Sequence, residues 1–360
     1  MIVKLEDVCD RGSSGLKQGD VIGKSGAYPI YGAAGYIGNV DFYHQEHPYV
    51  AVVKDGAGIG RTMLMPAKSS VIGTMQYLIP KSNVTAEYLR YVVQHMHLEK
   101  YFSGATIPHI YFRDYKEERF NLSSIDEQKC IVDSLGRVER IISKRQQELS
   151  ALDDLIKARF VEMFGDPVSN PMGWAKIALG TRCEIITGNT PSRAEPENYG
   201  SYIEWIKSDN INTPHTYLTE AQERLSEEGF KKSRYVEAGS ILMTCIAGSV
   251  GCIGNVAVAD RRVAFNQQIN AIVPCDDEPL FIFWLMQMSK PAIHRTINMA
   301  LKGILSKGQL SEIQFPFPPT ALQKQFAAFV SQIDKSKDAI KKSLTETQTL
   351  FDSLMQQYFG

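Results

Sequence analysis

The chain has 360 residues, 44% of them hydrophobic and 22% charged, and a net charge of −1. That length supports two domains with cores of their own, and the composition excludes a disordered chain. No apolar run approaches the ~20 residues of a membrane helix, and the start, Met1-Ile2-Val3-Lys4-Leu5-Glu6-Asp7, has no secretion signal. The six cysteines are scattered without a C-x-x-C spacing, so a reducing cytoplasm is expected and no metal site.

In chain order, residues 1–125 are rich in Gly, Pro, Tyr and β-branched residues. Short runs such as Tyr49-Val50-Ala51-Val52-Val53 predict a mixed α/β globule. Gly19-Asp20-Val21-Ile22-Gly23-Lys24-Ser25 is like a phosphate loop but is one residue short between its glycines, which alters the amide cradle. Gly56-Ala57-Gly58-Ile59-Gly60 follows an apolar strand but has no acidic ribose partner downstream, and it reads as a structural hairpin or loop. Residues 126–165 predict one long helix, capped by Ser124 or Asp126 and stopped by Gly165 and Pro167. Residues 166–320 predict a second mixed globule, with Leu280 to Met288 as a buried helix, and residues 321–360 a second long helix.

Both long helices carry a 4-3 apolar spacing. The first runs Ile131, Leu135, Val138, Ile142, Arg145, Leu149, Leu152, Ile156, Arg159 and Met163. The second runs Phe326, Val330, Ile333, Lys337, Ile340, Leu344, Thr347, Phe351, Leu354 and Tyr358. A sustained 3.5-residue period predicts a coiled-coil seam about 58 Å long. Because the second globule lets the chain turn back, the pairing is expected to be antiparallel. The fold class is therefore α+β: two mixed globules joined by two long helices in an antiparallel coiled coil.

The order globule–helix–globule–helix is an internal repeat. Phe164-Gly165 matches Phe359-Gly360, and the same offset of 195 carries Gln128-Lys129 onto Gln323-Lys324. The turn at Asp55 to Gly60 has its counterpart at Ala247 to Gly251, and Gln76 is matched with Gln267-Gln268.

No catalytic constellation emerges. Asn170-Pro171-Met172-Gly173-Trp174 begins like the Asn-Pro-Pro-Tyr motif that holds a flipped adenine and then departs. The histidines are dispersed, and ones such as His294 read as structural. Basic residues instead gather where acids are absent in sequence: Lys290, Arg295, Lys302 and Lys307 within Pro279 to Ser311; His109 and Arg113 within Lys100 to Arg113; and Arg61, Lys68 and Lys81 within Gly56 to Ala86, with Arg261-Arg262 on the matching turn of the second copy. Such stretches predict local positive potential for phosphate, which a net charge near zero conceals.

Several motifs then point one way. Ile186-Thr187-Gly188-Asn189-Thr190-Pro191-Ser192, Trp205-Ile206-Lys207-Ser208-Asp209, Ala247 to Gly251 and Asn266-Gln267-Gln268 resemble a target recognition domain of type I restriction specificity subunits. Tyr28-Pro29-Ile30-Tyr31-Gly32, Asp55-Gly56 and Ile72-Gly73-Thr74 are similar to another branch of that family. Pro318-Pro319 with Gln323-Lys324-Gln325 resembles its helical region, and Ile125-Asp126-Glu127-Gln128 is the twin. The resemblance implies a non-catalytic subunit that reads an asymmetric, split site in double-stranded DNA. Two methyltransferase subunits, and possibly two restriction subunits, would methylate adenine and cut. S-adenosylmethionine, ATP and Mg would belong to those partners, none to this chain. It places Tyr31, Lys54, Arg61, Gln76, His109 and Arg113 of the first globule near DNA, and Thr190, Ser192, Lys207, Asn210, Gln267, Lys302 and Lys307 of the second. A specificity subunit of a related non-type-I methyltransferase–nuclease system, a self-contained DNA methyltransferase and a protein-binding scaffold are the alternatives.

Overall fold

The computed structural model of the chain describes residues 1–104, 107–297 and 303–360. Its contacts divide into two units, Met1–Gln147 with Lys341–Gly360, and Glu148–Ile340. Each unit holds one globule and a stretch of both long helices.

In unit one, Cys9–Ser13, Met75–Pro80, Tyr49–Val53 and Thr62–Met65 form an antiparallel sheet in that order. Successive side chains of a strand point to opposite faces. Val50 and Val52 accordingly pack against the helix Ala86–His95, while Tyr49, Ala51 and Val53 enter a second cluster with Met75 and Tyr77. Both faces are covered, which is why this strand is apolar throughout. A smaller sheet, Gly35–Val40, Tyr28–Gly32 and Ser70–Val71, ends in a parallel pair. Ile2–Lys4 pairs with Arg119–Asn121 to close the globule.

Unit two repeats this plan, with one further strand, Tyr235–Val236, on its smaller sheet. Cys183–Thr187, Ile269–Pro274, Ile241–Thr244 and Val256–Val258 form the antiparallel sheet, covered by the buried helix Pro279–Arg295. Tyr199–Ile206 and Val263–Phe265 supply the parallel pair, and Lys176–Ala178 with Gln314–Pro316 closes the globule. One correction follows from register. Cys9 faces Pro80 as Cys183 faces Pro274, so Gln76 corresponds to Asn270 rather than to Gln267-Gln268.

The long helices are Ile125–Phe164 and Thr320–Phe359, 40 residues each. Ser124 caps the first in a reciprocal box with Glu127, and Gly165, at φ 78°, ends it. Two buried glutamines related by the repeat dock each helix start onto its globule. Gln128 accepts from Thr85 N–H at 3.0 Å and donates to Asn83 O and Ser123 O. Gln323 accepts from Glu278 N–H at 3.0 Å and donates to Pro318 O and Asp277 Oδ1.

The helices pair antiparallel within each unit. In unit one Ile131, Leu135 and Val138 share a core with Phe351, Met355 and Phe359, and Arg145 hydrogen-bonds Ser343 O and Thr347. In unit two Ile156, Phe160 and Phe164 pack with Phe326 and Val330, and buried Lys337 pairs with Asp153. Of the remaining seam positions, Ile142, Leu149, Leu152, Ile333, Ile340, Leu344 and Leu354 are half-buried. Toward the helix ends the buried stripe moves by one residue. Phe160 and Phe164 stand where the 4-3 pattern places Arg159 and Met163, and Met355 and Phe359 where it places Leu354 and Tyr358. There the helices face a globule core as well as each other, so the seam turns toward the larger apolar surface.

Candidate nucleic-acid interface

In unit one the hairpin between Tyr49–Val53 and Thr62–Met65 gathers several nominated residues. Gly56, Gly58 and Gly60 all have φ between 81° and 89°, so the loop coils through conformations that side chains rarely adopt. It is a shaped turn, not a nucleotide cradle. Gly56 N–H donates to Pro108 O and Ile110 N–H to Lys54 O, which brings the loop against residues 108–110. Lys54 pairs with Asp55, and Asp55 Oδ1 lies 2.7 Å from His109 Nδ1. His109 stacks on Tyr111, and the Arg113 guanidinium lies 4.8 Å over the Tyr111 ring. Arg61 is exposed, donates to Ala33 O at 3.1 Å and has no acidic partner among the described residues. Tyr31 is half-buried, edge-on to exposed Tyr36.

Gln76 does not belong to this surface. It is 3% exposed, and its amide oxygen accepts from the Tyr115 hydroxyl at 3.0 Å. Its counterpart Asn270 is likewise buried and bonded to Thr187. A polar residue inside a sheet buried on both faces must find its partner there, so Gln76 is a core strut.

In unit two the loop after Cys183–Thr187 approaches residues 265–267. A Cβ on Gly188 would stand 2.2 Å from Asn266 O, so only glycine allows this contact. Thr190 and exposed Gln267 hydrogen-bond across it, and Ser192 is exposed beside them. Lys207 and Arg193 both pair with Glu223 and both lie 5.5 Å from the Trp205 ring. Burial raises the Glu223 carboxyl, but the bonds from Arg193 and Lys207 outweigh it and hold the group below the usual carboxylate range. Asn210 is 8% exposed: it accepts Lys207 N–H at 3.0 Å and donates to Glu220 O. It braces the turn and does not face outward. Lys307 is exposed at the first residue of the helix Lys307–Glu312, with no ion pair among the described residues. Lys302 lies outside the described residues.

The acid-free stretches of sequence are not acid-free in space. Arg261 forks onto Glu204 at 2.7 and 2.8 Å, Arg262 pairs with Glu237, Lys68 with Glu46 and Lys81 with Asp10. Lys290 donates to Gly251 O, and burial lowers its pKa. These cations tie strands and loops together. Conversely, Arg234 lies outside the residues that the sequence places near DNA. It is exposed, donates to Thr187 O at 2.6 Å and joins the Thr190 loop through Asn189. The run Lys231-Lys232-Ser233-Arg234 was its signal in the sequence.

Among the described residues no helix is long and apolar enough to cross a membrane. A family model, the type I restriction modification DNA specificity domain, matches residues 1–151 and again 171–348. The chain is 28% identical over 188 residues to the type I restriction enzyme HindI specificity subunit of Haemophilus influenzae, covering 47% of this chain and 40% of that one. It is 25% identical over 201 residues to the MjaIX specificity subunit of Methanocaldococcus jannaschii, covering 52% and 44%. The matches thus span less than half the length of both relatives. In fold it is similar to the crystal structure of a type I restriction–modification S subunit from M. genitalium. The TM-score is 0.64 at 15% identity, covering 100% of this chain and 96% of that one.

Proposed function

Because the chain belongs to the type I restriction–modification DNA specificity family, we propose that it reads the two unlike halves of a split DNA site for catalytic partners. Each globule presents its loops to one half-site, and the paired helices fix the gap, as dimer geometry fixes half-site spacing elsewhere. The chain itself is non-catalytic. Two methyltransferase subunits methylate adenine with S-adenosylmethionine, and restriction subunits, where present, cut DNA with ATP and Mg.

One observation carries this reading: the two units share a four-stranded antiparallel sheet, a parallel strand pair and a closing strand pair, yet their exposed loops differ in sequence and length. A duplicated frame with unlike loops suits two readers of different bases. Arg61, His109 and Arg113 in one unit, and Thr190, Ser192, Gln267, Arg234 and Lys307 in the other, are the side chains proposed to meet DNA.

Gel shift of duplexes with the methyltransferase partner tests it. Specific retention is expected only when both half-sites are present at one spacing. Arg61→Ala and Lys307→Ala should each weaken binding across sequences and lower the salt slope by about one. Adenine methylation by the purified chain alone, or retention indifferent to salt, would refute the proposal.

A further inference from the structure

One loop contact of unit one carries a side-chain dyad that its counterpart in unit two lacks. Asp55 and His109 form a backbone bridge, and Ile110 N–H donates to Lys54 O at 2.9 Å. The offset of 195 carries His109 and Ile110 onto Ile304 and Leu305. There Ile246 bridges Ile304, and Leu305 N–H donates to Cys245 O, also at 2.9 Å. The two bridges are one scaffold, with Asp55 and His109 standing where unit two has Ile246 and Ile304. Unit two closes the bridge with two isoleucines, so the bond between the Asp55 and His109 side chains is not what fastens the loop. Reciprocal backbone bonds between Ser103 and His109 at 2.8 Å, and Gly56 N–H to Pro108 O at 2.9 Å, hold it as well.

The side chains form a relay with a fixed sense instead. Lys54 donates to Asp55 Oδ2, and the other oxygen, Oδ1, lies 2.7 Å from His109 Nδ1. A carboxylate only accepts, so Nδ1 carries the hydrogen and the imidazole keeps its lone pair on Nε2. Nε2 makes no hydrogen bond among the described residues, and the side chain is 37% exposed. The ring stacks on Tyr111, and Gly104 lies so near that a Cβ there would stand 3.5 Å from His109 Cδ2. A carboxylate partner on one ring nitrogen fixes the orientation and tautomer of the whole ring. His109 therefore offers an acceptor that is held in place and left unused.

We propose that His109 is a specificity-determining residue whose Nε2, set as an acceptor by Asp55, reads a base that offers an exocyclic amine in the major groove. Those bases are adenine and cytosine, whereas guanine and thymine present an oxygen instead. An oxygen there sets acceptor against acceptor and lowers affinity by roughly tenfold. Asp55 and Lys54 are positioning residues that act through His109. The inference rests on the reading above, in which the loops of unit one meet one half-site.

Asp55→Asn reverses the sense of the relay. Lys54 holds the amide oxygen, the amide NH2 turns to Nδ1, and the hydrogen moves to Nε2, as a carboxylate-to-amide change beside a histidine inverts its tautomer elsewhere. Selection of randomised duplexes by the chain bound to its methyltransferase partner reads the base preference at each position. Wild type is expected to favour adenine or cytosine at one position of one half-site by roughly tenfold. His109→Ala should abolish the preference at that position alone, and Asp55→Asn should turn it toward guanine or thymine. Histidine nitrogen-15 NMR of the full wild-type chain, assigned with His109→Ala, should show the hydrogen on Nδ1, a readout independent of whether the Asp55 variant folds. Unaltered preferences in His109→Ala, a preference merely lost or unchanged in Asp55→Asn, or a wild-type Nε2 that carries hydrogen overturns the proposal and leaves the parent reading intact. A wild-type complex that selects no split site overturns both.

Discussion

Replacing Gln323 with alanine removes the amide that fastens the second long helix to its globule. Gln323 is fully buried and makes three bonds, to Glu278 N–H, Pro318 O and the buried carboxylate of Asp277. Two are neutral and worth about 1 kcal/mol each, and the bond to the carboxylate is worth about 2, so Gln323→Ala should cost about 4 kcal/mol. Arg182, which grips Asp277 at 2.6 and 2.9 Å, remains and limits the loss. Gln128→Ala in unit one removes three neutral bonds and should cost about 3 kcal/mol. For units of this size the Gln323 variant should lower the unit-two transition by roughly 8–16 °C in calorimetry. Hydrogen exchange should show the first turns of Thr320–Phe359 opening. A loss below about 1 kcal/mol, or unchanged protection there, would refute the idea that a single amide anchors each helix start.

Three further outcomes follow from the same geometry. Gly60→Ala should destabilise unit one by about 1–3 kcal/mol, because φ is +81° and the new Cβ would stand 2.7 Å from Glu99 N. Gly23→Ala, at φ +81° with open space around it, should cost less in the same urea melt. The Glu204 carboxyl is held below its ordinary 4.5 by hydrogen bonds from Arg261, against burial, with help from Ala221 N–H. A depressed carboxylate stabilises fully above its unfolded value, so unit two should lose stability as pH falls below about 4.5, and Glu204→Gln should flatten that slope.

The repeat, the two long helices and the docking glutamines were legible because each rests on local periodicity or a fixed offset. Ser124, Gly165 and the Gly56–Gly60 turn were legible for the same reason: their chemistry is contained in a few neighbouring residues. Gln76 and Asn210 were misplaced because a polar side chain reads as surface until its buried partners, Tyr115 or Glu220 O, are known. The basic stretches misled for a related reason. Arg261 meets Glu204 across 57 positions, and Arg262 meets Glu237 across 25, so charge that is unbalanced along the chain is balanced in space. The shift of the seam at Phe160 and Met355 lay beyond the heptad pattern, which registers the partner helix but not the globule beside it.

Shortening both helices by one facing heptad tests the central claim most directly. Residues 142–148 and 342–348 oppose each other around Arg145, Ser343 and Thr347, and deleting both keeps the phase of each helix. Seven residues span about 10 Å, or roughly 3 base pairs. Sequencing of methylated adenines in cells carrying this chain and its methyltransferase partner should show the same two half-sites separated by a gap about 3 base pairs shorter. An unchanged gap, or altered bases within the half-sites, would contradict a helical pair that sets the distance between two independent readers.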